Sequence, residues 1–321
     1  MTTKTVGTSA AAVQQEVPGA PTAPPAWGMA RTVVWGSLAV LAVVWFGPLF
    51  LSALRPSDGG HGDFTQEWLS AKNVRAGLPV YAPQAETYPL HMGREPEMPE
   101  HLLAWNAHPP VTVLLGLPSA WLGYADAHLV WNLLSLLMLG AAVVLVIREL
   151  GVPFRPLSVL PLVALTMLCH PLYNHLSHGQ LNALLALLVV LAWAADRHGR
   201  TGWAGGLLGA AAAIKLFPAF LFLYFVCTRR WRAVLAGAAV FVALNALAAG
   251  ALGLDAYRDY VRVVVPSVAA KYQTFWLNVS LAGFWLRVFA PDPRHAEPLV
   301  HAPLLGTLIA NGLRLAAALA A

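Results

Sequence analysis

An all-α protein that crosses a membrane several times is the class this sequence predicts, on three observations. Of its 321 residues 58% are hydrophobic and only 11% charged, whereas a soluble domain carries about a quarter charged residues. The mean hydropathy is +0.61. The apolar residues gather in runs at 32–54, 127–148, 157–173, 180–195, 231–252 and 300–321, near the roughly 20 residues that cross hydrocarbon as a helix. Shorter or broken runs lie at 109–123, 203–226 and 277–290. Backbone in lipid must find its hydrogen bonds within its own segment, so the runs predict about 8–10 transmembrane or re-entrant helices.

Taken in order, residues 1–30 are Ala, Pro, Thr and Gly with few large apolar groups, which predicts a disordered cytoplasmic tail ahead of a membrane domain over 31–321. No basic region leads into a short apolar core, so the first run is read as a retained anchor rather than a signal peptide. Segment 55–108 carries seven acids (Asp58, Asp63, Glu67, Glu86, Glu95, Glu97, Glu100) against four bases (Arg55, Lys72, Arg75, Arg94). Arg148 with Arg155, Arg197 with Arg200, and Arg229 and Arg230 with Arg232 mark cytoplasmic turns, which makes 55–108 the first external loop. Both ends of 203–226 are then cytoplasmic, as a hairpin of two half-helices would place them, broken near Lys215 and Pro218. The stretch 109–123, opened by Pro109 and Pro110 and cut by Pro118, is expected to dip in and return. Cys169 and Cys227 sit inside apolar runs and read as small buried hydrophobes. No basic face or motif suggests nucleic acid.

The polar residues left over gather on the external side: Asp63, His108, Asn174, His175, His178, Gln180, Asp255, Asp259, Lys271, Tyr272, Gln273 and Asn278, with Lys215 at depth beneath them. A carboxylate just outside a membrane helix is costly without work or a partner. Asp63 is therefore a candidate general base, the alternative being the N-cap of a helix starting near Phe64 or Gln66. Asp58 and Glu67 compete with it, and Asp58 reads better as a turn former. Segment 64–76 suits either an amphipathic helix on the membrane surface, with Phe64, Trp68, Leu69 and Ala71 toward lipid, or an ordinary packed loop helix. The run from His170 to Asn182 holds three histidines spaced five then three apart, with no Glu or Cys to complete a zinc set. His175, His178, Gln180 and Asn182 instead suit hydrogen bonds to a phosphate or sugar, or simply an interfacial turn. Lys215, between two apolar runs, suits a lipid phosphate or snorkels to the interface. The triplet Asn278-Val279-Ser280 is formally a glycosylation sequon and is discounted.

The order of motifs resembles glycosyltransferase family 87 of the GT-C superfamily. The residues carrying it are Asp63-Phe64, Gly77-Leu78-Pro79-Val80-Tyr81, His108-Pro109-Pro110, Gly179-Gln180-Leu181-Asn182, Gly205 through Lys215-Leu216-Phe217-Pro218, Arg229-Arg230-Trp231-Arg232, and Asn278-Val279-Ser280-Leu281. The resemblance covers about residues 32–290. It implies a first external loop bearing a catalytic Asp63, a donor such as mannose or arabinofuranose on polyprenyl phosphate, a glycolipid or glycan acceptor, and no metal or other cofactor. Lys215 and the Gln180/Asn182 pair match family motifs, and together with His175, His178, His108 and Asn278 they are the expected donor phosphate or sugar contacts. Val279 stands where the family often has Gln. The apolar run that ends the chain, where family members continue with further spans, points to a truncated or atypical member.

Inverting transfer fits these parts: Asp63 takes the proton of an attacking hydroxyl while a cation steadies the departing phosphate. Two other readings stay open. Intramembrane ionisable groups also mark a transport or flippase pathway, although the absence of an internal repeat speaks against a transporter of inverted halves. A non-catalytic scaffold for envelope assembly is the third.

Overall fold

In the computed structural model the described residues are 25–56, 62–96, 105–152, 159–273, 278, 280–290 and 298–320. Most of the expected tail, together with Asp58, Glu97, Glu100 and Arg155, lies outside them. Every regular element among them is helical, and three helices are long and apolar enough to cross a membrane. These are α1 (Pro25–Leu54), α5 (Tyr124–Glu149) and α11 (Trp231–Leu252). A pair bent by 61°, α6 (Val159–Met167) and α7 (His170–His178), is long and apolar enough when taken together, as a broken span or a re-entrant loop. The apolar run expected as one span over 157–173 is thus broken at Leu168-Cys169, because Pro171 in the first turn of α7 starts a new helix.

The external-loop segment folds into α2 (Asp63–Arg75) and α3 (Gln84–Met92). Behind it come α4 (Pro110–Gly116) and a 3₁₀ turn over Leu117–Trp121. Both ends of this stretch meet α2: Ala107 N donates to Gln66 Oε1 (2.9 Å) and Trp68 Nε1 to Leu122 O (3.2 Å). The remaining elements are α8 (Asn182–Arg197), α9 (Thr201–Ile214), a 3₁₀ turn over Phe217–Leu221, α10 (Phe222–Cys227), α12 (Leu254–Asp259), a π-helical turn over Tyr260–Val264, α13 (Val265–Gln273), α14 (Leu281–Phe289) and α15 (Pro303–Ala320).

Side-chain bonds orient these helices. Trp131 Nε1 donates to Gln180 O, and Arg197 and His198 reach Glu149, so α5 and α8 run parallel. Asn132, early in α5, donates to Ala53 O, Leu54 O and Leu176 O, which sets the end of α1 and the end of α7 beside the start of α5. One end of the bundle therefore gathers Asp63, Tyr124, Asn132, His175 and Gln180. The opposite end gathers Arg31, Arg148, Arg197, Arg200, Arg229, Arg230 and Arg232.

The hairpin expected over 203–226 is present. Tyr224 Oη and Arg230 both bond Asp196, at the turn into α9, so the chain descends along α9 and returns through α10 to the same end. It follows that α9 and α11 run parallel. They touch backbone to backbone: a Cβ on Gly205 would stand 1.9 Å from Ala233 O, and one on Gly209 2.2 Å from Gly237 O. The glycines serve close helix packing. Lys215 caps α9 in extended conformation, half-buried at the turning point of the hairpin.

Of the two readings of 64–76 the packed loop helix holds, and the expected burial of the cysteines does not. Phe64, Trp68, Leu69 and Ala71 do not face lipid; all four are at most 4% exposed, because α3, α4, the 3₁₀ turn and α5 enclose α2. The cysteines are free, but Cys169 is half-buried and Cys227 exposed, since apolar runs of membrane helices turn much of their surface outward.

Asn132 is wholly buried, and its amide satisfies the Ala53 and Leu54 carbonyls at the end of α1, which the helix leaves without partners, and adds a second bond to Leu176 O near the end of α7. Asn132→Leu should destabilise the protein by about 1–3 kcal/mol, the cost of leaving buried acceptors unpaired. Thermal unfolding in detergent reads it; an unchanged midpoint would contradict this role.

Candidate active site

Gly62 precedes α2 in extended conformation, and Asp63 opens the helix as its first residue, with no side-chain cap. The expected alternative, Asp63 as N-cap, is therefore not what the backbone shows. A carboxylate in the first turn gains from the helix dipole, and no described side chain hydrogen-bonds or ion-pairs with it. Asp63 stays half-buried and open.

What holds this turn in place is a glycine-to-glycine seam. Gly62 lies against the backbone of His178, where a Cβ would come within 2.5 Å of the carbonyl oxygen. Gly179 lies against Phe64 and the ring of His128, with room for no Cβ: one would stand 2.5 Å from Phe64 Cβ and 2.6 Å from His128 Nε2. Gly179 also needs its glycine for the backbone. It ends α7 at φ 58°, while Gln180 N returns to His175 O and Gly179 N to Leu176 O. Behind the seam stand the rings of Phe64, Tyr124, His128 and Trp131. Phe64 and His128 have ring centres 5.1 Å apart, and Tyr124 and His128 stack at 5.7 Å.

Asp63 and Lys215 both lie within electrostatic reach of His175. Both of their charges act on the His175 ring, which is 7% exposed and whose Nε2 has no hydrogen-bond partner. Lys215 makes no ion pair among the described residues. The charge of Asp63 also reaches Tyr272. One open carboxylate, one buried imidazole and one half-buried ammonium thus share a single end of the bundle.

The other expected site residues fall as follows. His178 is exposed and contributes its backbone to the seam. Gln180 and Asn182 bond each other, Asn182 Nδ2 to Gln180 Oε1 at 2.8 Å, so part of their donor capacity is already used. Asn278 works locally: its Nδ2 donates to Tyr272 O and its Oδ1 accepts from Ser280 N, at the start of α14. His108 places Nδ1 2.6 Å from Glu67 Oε1. The His170, His175 and His178 side chains do not converge, and no group of three His, Cys, Asp or Glu able to hold a metal ion occurs among the described residues.

Two further groups are buried: Glu67, the competitor of Asp63, and His128, which the sequence did not single out. Glu67, one turn along α2 from Asp63, is 5% exposed and sets Oε1 2.6 Å from His108 Nδ1, close but outside hydrogen-bond geometry, while its Oε2 has no hydrogen bond. The pair is tied down through His108 O, which accepts from Tyr81 Oη at 2.8 Å. Burial and then the Glu67 charge push the Tyr81 hydroxyl up, so it remains a donor. His128 is fully buried with both ring nitrogens unpartnered.

The family model for glycosyltransferase family 87 matches residues 106–321, a stretch that begins after Asp63 and α2. A polyprenol-phosphate-mannose-dependent alpha-(1-2)-phosphatidylinositol pentamannoside mannosyltransferase of Mycolicibacterium smegmatis is 30% identical over 186 residues, 58% of this chain and 41% of that protein. A polyprenol-phosphate-mannose-dependent alpha-(1-2)-phosphatidylinositol mannoside mannosyltransferase of Mycobacterium tuberculosis is 32% identical over 154 residues, 44% of this chain and 35% of that protein. The matched stretch spans less than half the length of either relative. No solved structure matches the chain. With two thirds of its length accounted for, this chain belongs to glycosyltransferase family 87.

Proposed function

We propose that the protein transfers a sugar, mannose, from polyprenyl phosphate to a glycolipid or glycan acceptor at the outer face of the cell membrane, with inversion at the anomeric carbon. The observation that carries the reading is the seam that fixes an unpartnered Asp63 within electrostatic reach of His175, as Lys215 is. Asp63 accepts the proton of the acceptor hydroxyl as that oxygen bonds to the anomeric carbon, and the bond to the donor phosphate breaks on the opposite face. The departing phosphate gains charge, and Lys215 with His175 holds it more tightly in the transition state than in the ground state. His178, Gln180 and Asn182 border the same site as contacts for the sugar or phosphate.

The arginine-rich end favours the cytoplasm, which sets the Asp63 end outside. The two relatives are named for a polyprenol-phosphate-mannose donor and for phosphatidylinositol mannoside acceptors. The same donor and a mannosylated lipid acceptor are the substrates to try first.

Purified protein incubated with radiolabelled polyprenyl-phosphate mannose and a phosphatidylinositol mannoside should yield a labelled lipid with a new glycosidic bond. Movement of the intact donor across vesicles without bond exchange would establish transport instead. Neither product nor movement would favour a scaffold.

A further inference from the structure

We propose that the trough between α9 and α11 at the arginine-rich end binds an anionic phospholipid, its phosphate on Arg200 and Arg232 and its hydrocarbon along the small residues below. The trough is a cavity of about 840 Å³ far along the bundle from Asp63. Parallel packing puts the starts of both helices at its mouth, Thr201 and Trp231. Two helix N-termini there add positive potential to two guanidinium groups.

The charges at this end divide into two kinds. Arg197 pairs with Glu149, and Arg230 with Asp196. These two carboxylates are taken, and the exposed Arg200 and Arg232 meet none among the described residues. They are the two arginines that line the cavity. Beneath them the wall turns to Gly206, Ala210 and Ala236, which offer an apolar surface and no hydrogen-bonding side chain. Trp203, 72% exposed, stands at the mouth, where an indole suits the boundary between headgroup and hydrocarbon. A polar, cationic mouth leading to an apolar channel at membrane depth is complementary to a molecule with a phosphate head and a long tail. A free phosphate would leave the channel empty, and a neutral headgroup would leave the arginines unpaired.

The test measures binding, so it does not depend on transfer activity or on the role of Asp63. Detergent-solubilised protein is titrated with phosphatidylglycerol, with phosphatidylcholine, and with glycerol 3-phosphate, following the thermal midpoint and the lipids retained in native mass spectrometry. Phosphatidylglycerol should raise the midpoint by about 3 °C or more over phosphatidylcholine and remain bound. Arg200→Gln with Arg232→Gln should abolish that difference. Removing two charges from the same end outside the trough, by Arg31→Gln with Arg148→Gln, should preserve it. Equal stabilisation by phosphatidylcholine, a shift produced by glycerol 3-phosphate alone, or an undiminished shift in the Arg200/Arg232 variant would each overturn the proposal.

Discussion

Asp63→Asn should reduce sugar transfer by about 10²–10⁴-fold while leaving the protein folded, the loss expected when a positioned general base is removed. The substitution is close to isosteric, and Asp63 donates and accepts no side-chain hydrogen bond that the fold requires. What the amide lacks is the charge and the basicity. Because the acceptor hydroxyl must lose its proton in the transition state, the fall should appear in kcat and kcat/KM with little change in donor KM. Glu67 is the rival on the same helix, and its surroundings are different. It is buried against His108, with Oε1 2.6 Å from Nδ1, so Glu67→Gln should act on folding as well as on rate. Full transfer by a folded Asp63→Asn protein would end the assignment of Asp63.

The sequence made the membrane class, the seam's two polar motifs and the hairpin at Lys215 legible, because each leaves a local mark. Long apolar runs measure out spans, and Lys/Arg pairs mark one end. A lysine followed by Leu-Phe-Pro between apolar half-runs signals a break. The polar stripe of α5 left a mark too. His128, Asn132 and Ser135 fall at i, i+4 and i+7 within a span and are all buried at 1% exposure or less, the spacing of one interior face. That stripe could have identified both the Asn132 clamp and the His128 wall.

Other features leave none. The burial of Phe64, Trp68 and Leu69 depends on α4 and the 3₁₀ turn folding back over α2, about fifty residues later in the chain. Composition alone cannot separate a packed helix from one lying on lipid, since both need an apolar face. The union of Glu67 with His108 is likewise a tertiary pairing across segments. For the same reason His108 and Asn278 looked like free polar groups, although their neighbours already engage them.

Gly179→Ala should both destabilise the protein and remove transfer, and three glycines separate the causes. Gly151 has φ 64° and nothing within 4 Å of an added Cβ, so Gly151→Ala carries backbone strain alone, roughly 1–2 kcal/mol. Gly62 has an ordinary φ of −86°, but its Cβ would meet the His178 backbone at 2.5 Å, so Gly62→Ala carries the clash alone. Overpacking of that kind costs about 1–3 kcal/mol. Gly179 carries both terms, with Phe64 and His128 in the way. If the seam does no more than stabilise, activity should follow the loss of thermal stability in all three variants. If it sets the position of Asp63, Gly151→Ala should stay active, while Gly62→Ala and Gly179→Ala lose kcat at temperatures where they remain folded. Adding His128→Ala to Gly179→Ala removes one obstructing ring, so the pair should cost less than the sum of the single changes. Additivity there, together with normal kcat in Gly62→Ala, would separate the seam from catalysis and leave it a packing contact.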